Sequence, residues 1–245
     1  MQELRNYLLP EKSLEVVREQ KAVTLLRKWP WKTGGTLIGG YAIAAYGPPR
    51  YSEDLDIVIS RTALNPILRF LDEQGFLLRK DSYPNSQNLD GEVMTFDHEE
   101  VSVDLLVGYI RDRDAKVDIP ESWVSQRSNT RILRIKTGET TAIPIARPEA
   151  IWALKLQAGR SQDITDLFAI YDTRFESKEI IELFRGLMND LLKTKLLATL
   201  QKSESDKLFE DSMSRLEMKQ TEKNRERWTR FGSAVRRIVE SSILV

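Results

Sequence analysis

The sequence predicts an α/β (α+β) amino-terminal half followed by a helical carboxy-terminal half. Three observations lead there. Short apolar runs, several alternating with period two, recur as far as Ile145 and are separated by Gly, Pro and polar clusters. From Arg147 onward that pattern stops, and apolar residues recur at helical spacing. Between Leu37 and Ile59 the run LIGGYAIAAYGPPRYSEDLDIVI joins a Gly-Gly turn, a short apolar helix, a proline-broken loop and a strand. The division expected is residues 1–146 and 147–245.

Taken in order, residues 13–29 read as a helix with Ser13 as N-cap and Leu14, Val17 and Leu25 on its apolar stripe. Pro30 ends it, because proline disfavours helix at the preceding residue. Thr36–Ile38 is a short strand, Tyr41–Tyr46 a helix and Asp54–Ile59 a second strand. Leu64–Gln74 is a helix closed by Gly75, and Phe76–Lys80 a strand. Tyr83–Asp90 is a loop. Glu92–Phe96 and Val101–Leu106 form a hairpin about the turn Asp97–Glu100, which holds His98. Arg111–Glu121 reads as a charged loop. Arg131–Ile135 and Thr141–Ile145 are strands around Gly138. Pro148 opens a helix running to Ala158, Gln162–Tyr171 is another, and residues 177–245 are helical. Stripes there include Phe209-Met213-Leu216 and Trp228-Phe231-Val235-Ile238.

Composition narrows the chemistry. The 245 residues carry a formal net charge of zero, so no global field draws in nucleic acid, and any basic surface must be local. With no cysteine, disulfides, thiolate metal sites and Cys nucleophiles are excluded. A single histidine makes Ser–His–Asp chemistry and multi-His zinc sites improbable. Residues 1–20 lack the apolar core of a signal peptide, and no apolar stretch is long enough to span a bilayer. The expectation is a cytoplasmic protein without a membrane partner.

Side chains two apart on a strand share a face, so Asp54 and Asp56 point together while Leu55, Ile57 and Ile59 enter the core. Adjacent carboxylates repel unless a cation or shared proton intervenes. A hard divalent ion such as Mg2+ takes oxygen ligands and works beside substrate phosphates. Gly39-Gly40, before a helix, let backbone approach a phosphate closely. The bland alternatives are an exposed polar strand face and an ordinary tight turn. On the later hairpin, alternation turns Ser102 and Asp104 to one face and Val101, Val103 and Leu105 to the other.

This combination resembles the nucleotidyltransferase superfamily, whose fold is shared with DNA polymerase β. Ile38-Gly39-Gly40, then Asp54-Leu55-Asp56-Ile57, then Asp104 follow that superfamily's order. The wording GG…YG…R-x-SEDLDI is most similar to the abortive-infection branch, the AbiEii-type nucleotidyltransferases of type IV toxin–antitoxin systems. Lys155, Arg160, Asp163 and Asp166 match its later helical pattern. The matched positions run from Leu37 to Leu167.

The resemblance implies a mixed sheet, two Mg2+ ions held by Asp54, Asp56 and Asp104, and Asp104 helping to activate an acceptor hydroxyl. It implies Lys155 among the catalytic residues, and Gly39, Gly40, Arg50, Ser52, Lys155 and Asp163 as nucleotide-binding. It implies an NTP substrate, tRNA as the leading acceptor and a cognate antitoxin. Transfer to a protein or small-molecule hydroxyl, as in aminoglycoside nucleotidyltransferases, is the runner-up. A non-catalytic binding module is the reading from another class. For Arg50, Ser52 and Lys155 the alternative is a solvated surface residue. For Asp163 and Asp166 it is simple ion pairing with Arg160 or Lys155. The stretch Arg215–Arg237, with eight basic residues against three Glu, is either an RNA footprint or an amphipathic helix with a solvated basic face.

Overall fold

The computed structural model describes residues 14–49, 51–80 and 93–244. The expectations for Ser13 as a cap, for Arg50 and for the loop Tyr83–Asp90 lie outside the described residues. Helix α1 (Leu14–Lys28) precedes β1 (Thr36–Leu37), α2 (Gly39–Ala44), β2 (Asp54–Ile59), α3 (Leu64–Glu73) and β3 (Leu77–Leu78). Strands β4 (Val93–His98), β5 (Val101–Val107), β6 (Tyr109–Asp112) and β7 (Val117–Pro120) follow, then α4 (Glu121–Ser125), β8 (Ser128–Arg134) and β9 (Thr140–Ala146). The rest is helical: α5 (Pro148–Ala158), α6 (Ser161–Ala169), α7 (Ser177–Leu187), α8 (Asp190–Ser203), α9 (Asp206–Arg215) and α10 (Glu222–Ile243).

Seven strands form one mixed sheet in the order β3-β4-β5-β2-β1-β9-β8. The β2–β5 and β1–β9 pairs are parallel and the others antiparallel. Strands β2 and β5 lie inside the sheet, and Leu55, Ile57, Val103 and Leu105 are fully buried. Ile38 N–H donates to the Asp56 carbonyl at 2.9 Å, so the chain leaves β1 still bonded to β2 and enters α2 at the level of the acidic pair.

The segment Arg111–Glu121, expected as a charged loop, instead falls mostly in a two-stranded hairpin, β6–β7, ahead of α4. Its alternation is short and masked by charge. Val117 and Ile119 are buried, while Arg111 and Asp118 pair across the strands at 3.1 Å. The Asp112 carboxylate closes the turn by accepting from Asp114 and Ala115 N–H at 3.0 and 2.9 Å. His98, expected in a turn, is the last residue of β4, and its ring packs 5.3 Å from that of Phe76. On α1 the buried stripe runs through Ala22, Val23 and Leu26 to Trp29, whereas Leu14 is exposed.

The helical part packs as its stripes predict. Pro148 occupies the first turn of α5, and Gly159 at φ +64° ends it. Trp228, Phe231, Val235 and Ile238 of α10 are buried, and Phe231 sits among the rings of Trp152, Phe168 and Trp228. The apolar core is continuous from the sheet through these helices. Several basic residues of the Arg215–Arg237 stretch are occupied in ion pairs: Arg225 with Asp206, Arg227 with Asp172 and Arg236 with Glu204. The aromatics of that stretch, Trp228 and Phe231, are buried, as an amphipathic helix requires, while Lys219, Lys223, Arg230 and Arg237 are exposed.

One buried acid ties α1 to the β8–β9 turn. Glu19 is fully buried, and its carboxylate accepts from the backbone N–H of Thr137 at 3.2 Å and Lys136 at 3.4 Å. Glu19→Ala should strand both donors and cost about 1–3 kcal/mol, read as a lower denaturant midpoint at unchanged slope. Glu19→Gln, which keeps an acceptor, should cost less.

Candidate active site

Parallel pairing of β2 with β5 sets Asp56 directly beside Asp104 and Asp54 beside Ser102. Because strand residues two apart share a face, all three acids look into one cleft of about 590 Å3, which Gly39, Gly40, Ser52, Lys155 and Arg160 also line. The sequence-expected residues that the structure describes are therefore brought together, from β2, β5, α2, the loop before β2, and the α5–α6 corner.

Gly39 is part of this geometry. Its φ is +65°, and a Cβ built on it would lie 1.8 Å from Asp56 Oδ2. No side chain fits there, so the Asp56 carboxylate rests on the bare backbone that opens α2. Helix α2 starts at Gly39 rather than after the pair of glycines, with Ile38 as its N-cap.

Burial first, then the charge of Asp104, pushes the Asp56 carboxyl up to about 7, and Asp54 adds to the effect against the pull of Lys155. Asp54 is also raised, by burial and then by Asp104 and Glu53. Asp104 has a partner that sequence reading missed. Thr95, opposite it on β4, donates Oγ1–H to Asp104 Oδ1 at 2.7 Å. The signal available was the position of Thr95 two residues before Asp97 on the same hairpin face. Ser102 is turned aside, donating to Asp97 at 2.8 Å.

The cation facing the acids is anchored from behind. Lys155 Nζ donates to Asp163 Oδ1 at 2.8 Å and Asp166 Oδ2 at 2.9 Å. Burial disfavours its charge, but the two carboxylates outweigh that and raise its pKa. Asp163 is fully buried, with Oδ1 also meeting Arg160 Nη2 and Oδ2 accepting from the Arg160 backbone N–H and Nε. Burial opposes its charge too, yet Arg160 and Lys155 hold its pKa below the ordinary value. Asp163 thus stands behind Lys155 and Arg160 and orients them. Arg160 spans the rim, with its side chain largely exposed.

Three carboxylates with only oxygen donors suit a hard divalent ion. Among the described residues no three acidic or imidazole groups form a ready-made metal cage. Mg2+ does not require one, since it binds through one or two carboxylates with water and substrate phosphates. The raised pKa values of Asp54 and Asp56 reflect burial and the neighbouring carboxylates. Gly39→Ala should displace Asp56 and strain the backbone at positive φ, lowering stability by about 1–3 kcal/mol. An unfolding midpoint equal to that of the parent would refute this reading of the Gly39–Asp56 contact.

Several known proteins are similar to this chain. No curated protein matches it. Among solved structures, a candidate nucleotidyltransferase from Thermotoga maritima shares 16% identity, over 63% of this chain and 95% of its own, with a TM-score of 0.42. A candidate nucleotidyltransferase from H. pylori shares 17% identity, over 95% and 96%, with a TM-score of 0.45. JHP933 from Helicobacter pylori shares 17%, over 93% of each chain, also at 0.45. The family model described as "Nucleotidyl transferase AbiEii toxin, Type IV TA system" matches residues 27–240. With most of its length inside that match, the chain belongs to the AbiEii family of nucleotidyltransferase toxins of type IV toxin–antitoxin systems.

Proposed function

We propose that the protein transfers a nucleoside monophosphate from an NTP to an acceptor hydroxyl in a Mg2+-dependent reaction, with tRNA as the acceptor. The observation that carries this is the β2–β5 register, which gathers Asp54, Asp56 and Asp104 on one face opposite Lys155. Asp54, Asp56 and Asp104 would hold the metal. When bound, Mg2+ supplies charge neutralisation along the triphosphate and stabilises the attacking and leaving oxygens.

The protein's own groups account for the rest. The Gly39-Gly40 backbone leaves room for the phosphates. Lys155, held charged by Asp163 and Asp166, and Arg160, held by Asp163, supply fixed positive charge on the opposite wall. Ser52 lines the cleft on the acid side. Asp104, oriented by Thr95, accepts the proton of the acceptor hydroxyl. The acceptor oxygen then bonds to the α-phosphorus as the bond to the β-phosphate oxygen breaks, and pyrophosphate leaves. Family membership supports a cognate antitoxin as partner. Among the described residues no helix is long and apolar enough to cross a membrane, and a cytoplasmic site of action is part of this reading.

Incubation with each labelled NTP, Mg2+ and total cellular RNA tests the reaction. Label appearing in tRNA supports the reading; label only in protein or a small molecule replaces the acceptor. Asp56→Asn should lower transfer by about 10²–10³-fold or more, as expected for losing charge at the transition-state site. Full activity in that variant would remove Asp56 from the chemistry.

The same variant predicts a pH effect without metal. The folded Asp56 carboxyl titrates at about 7, whereas an unfolded Asp titrates near ~3.9. Between those values the folded state holds the extra proton, so this group's contribution to stability falls as pH rises from about 4 to about 7. Asp56→Asn escapes that loss. Its melting temperature should exceed the parent's at pH 7.5, by up to about 4 kcal/mol in stability if the whole shift is realised, and the gap should close toward pH 4. A gap independent of pH would contradict the assignment.

A further inference from the structure

Beyond Arg160 the cleft continues into a second cavity of about 280 Å3. Ile110, Leu154, Ala158 and Arg160 border both spaces. Helix α5 serves both, with Lys155 on the catalytic side and Gln157 on the other. Leu154, Gln157 and Ala158 follow the i, i+3, i+4 spacing of one helix face. The β6–β7 hairpin supplies Arg111 and the exposed Arg113. That hairpin is fastened to α8: Lys195 Nζ meets Asp112 Oδ2 at 2.6 Å, and Asn189 Nδ2 donates to the Ala115 carbonyl at 3.0 Å.

Gln157 is the anomaly in this wall. It is only 3% exposed, yet its Nε2 is buried without a hydrogen-bond partner. Buried amide donors are nearly always satisfied, and an unsatisfied one costs stability. A carboxamide offers two donors beside an acceptor, the pattern that pairs with the edge of a nucleobase. The apolar side chains of Ile110 and Leu154 and the guanidinium of Arg160 suit the faces of such a ring.

We propose that this second cavity is a nucleobase subsite in which the Gln157 carboxamide hydrogen-bonds the base edge. The proposal rests on the nucleotidyl-transfer reading above. The base comes either from the incoming NTP or from the terminal nucleotide of an RNA acceptor; the hydrogen-bonding chemistry is shared, and experiment separates the sources.

The test is Gln157→Met, which keeps length and removes the amide. Its melting temperature should equal or exceed the parent's, because an unpaired donor is lost. If the NTP supplies the base, KM for the favoured NTP rises about tenfold, the size of one lost hydrogen bond, and the preference among ATP, GTP, CTP and UTP flattens while kcat moves little. If the acceptor supplies it, KM for the RNA rises by a similar factor and NTP preference is intact. Unchanged KM values and preference overturn the proposal. So does a lower melting temperature with uniform loss of kcat, which marks a packing role. Should the variant fail to fold, photo-crosslinking the parent with 4-thio-UTP, 8-azido-ATP and a 4-thiouridine-ended RNA decides: adducts within residues 111–114 or at Gln157 support it, and adducts only elsewhere overturn it. A parent that binds neither Mg2+-NTP nor RNA fails the transfer reading itself and this subsite with it. A parent that transfers normally beside an indistinguishable variant fails the subsite alone.

Discussion

Two carboxylates placed side by side in a poorly solvated cleft are the constraint on which this structure turns. Asp56 and Asp104 are register partners on parallel strands, and that pairing is set by the apolar residues between them. Slipping β2 by one residue would turn Leu55 and Ile57 outward and the acids into the core. Burial of the strands therefore enforces the acidic contact, and core packing compensates for its repulsion. The raised carboxyl of Asp56 is the electrostatic trace of that arrangement.

Other features accommodate it. Gly39 yields its side-chain space to the Asp56 carboxylate. Thr95 holds Asp104 from the neighbouring strand. Lys155 and Arg160 bring positive charge to the facing wall, but a lysine that well buried needs its own support. Asp163 and Asp166 supply it from α6. The buried cation–carboxylate cluster and the acidic strands are thus complementary halves of one site. The first belongs to helices after Arg147 and the second to the sheet before it, and the core between them is continuous.

The proposed reaction and the proposed base subsite use α5 in different ways. Lys155 meets the acids across the cleft, while Gln157, two residues on, lies toward the β6–β7 hairpin. A hairpin fastened to α8 by Lys195 and Asn189 offers a firm wall for a base. On α10, Arg225, Arg227 and Arg236 pair with Asp206, Asp172 and Glu204, while Lys223, Arg230 and Arg237 are exposed. Nearer the cleft, Arg160 and Arg113 carry exposed guanidinium groups.

The sequence by itself determined the local pieces. Alternation in Asp54–Ile59 and Val101–Leu106 placed the acids on one face of each strand, because side-chain direction in a strand is a local property. The 3.6-residue stripes and Pro148 set the helices of the second half for the same reason. Short strands hidden by charge were not legible: the β6–β7 hairpin owes its order to Asp112 capping the turn and to contacts with α8. Tertiary structure alone decided the parallel β2–β5 register, the seating of Asp56 on Gly39, the Thr95–Asp104 bond and the unpaired amide of Gln157. Each depends on atoms distant in the chain meeting at hydrogen-bond or van der Waals range, and local spacing carries no information about which distant partner will arrive.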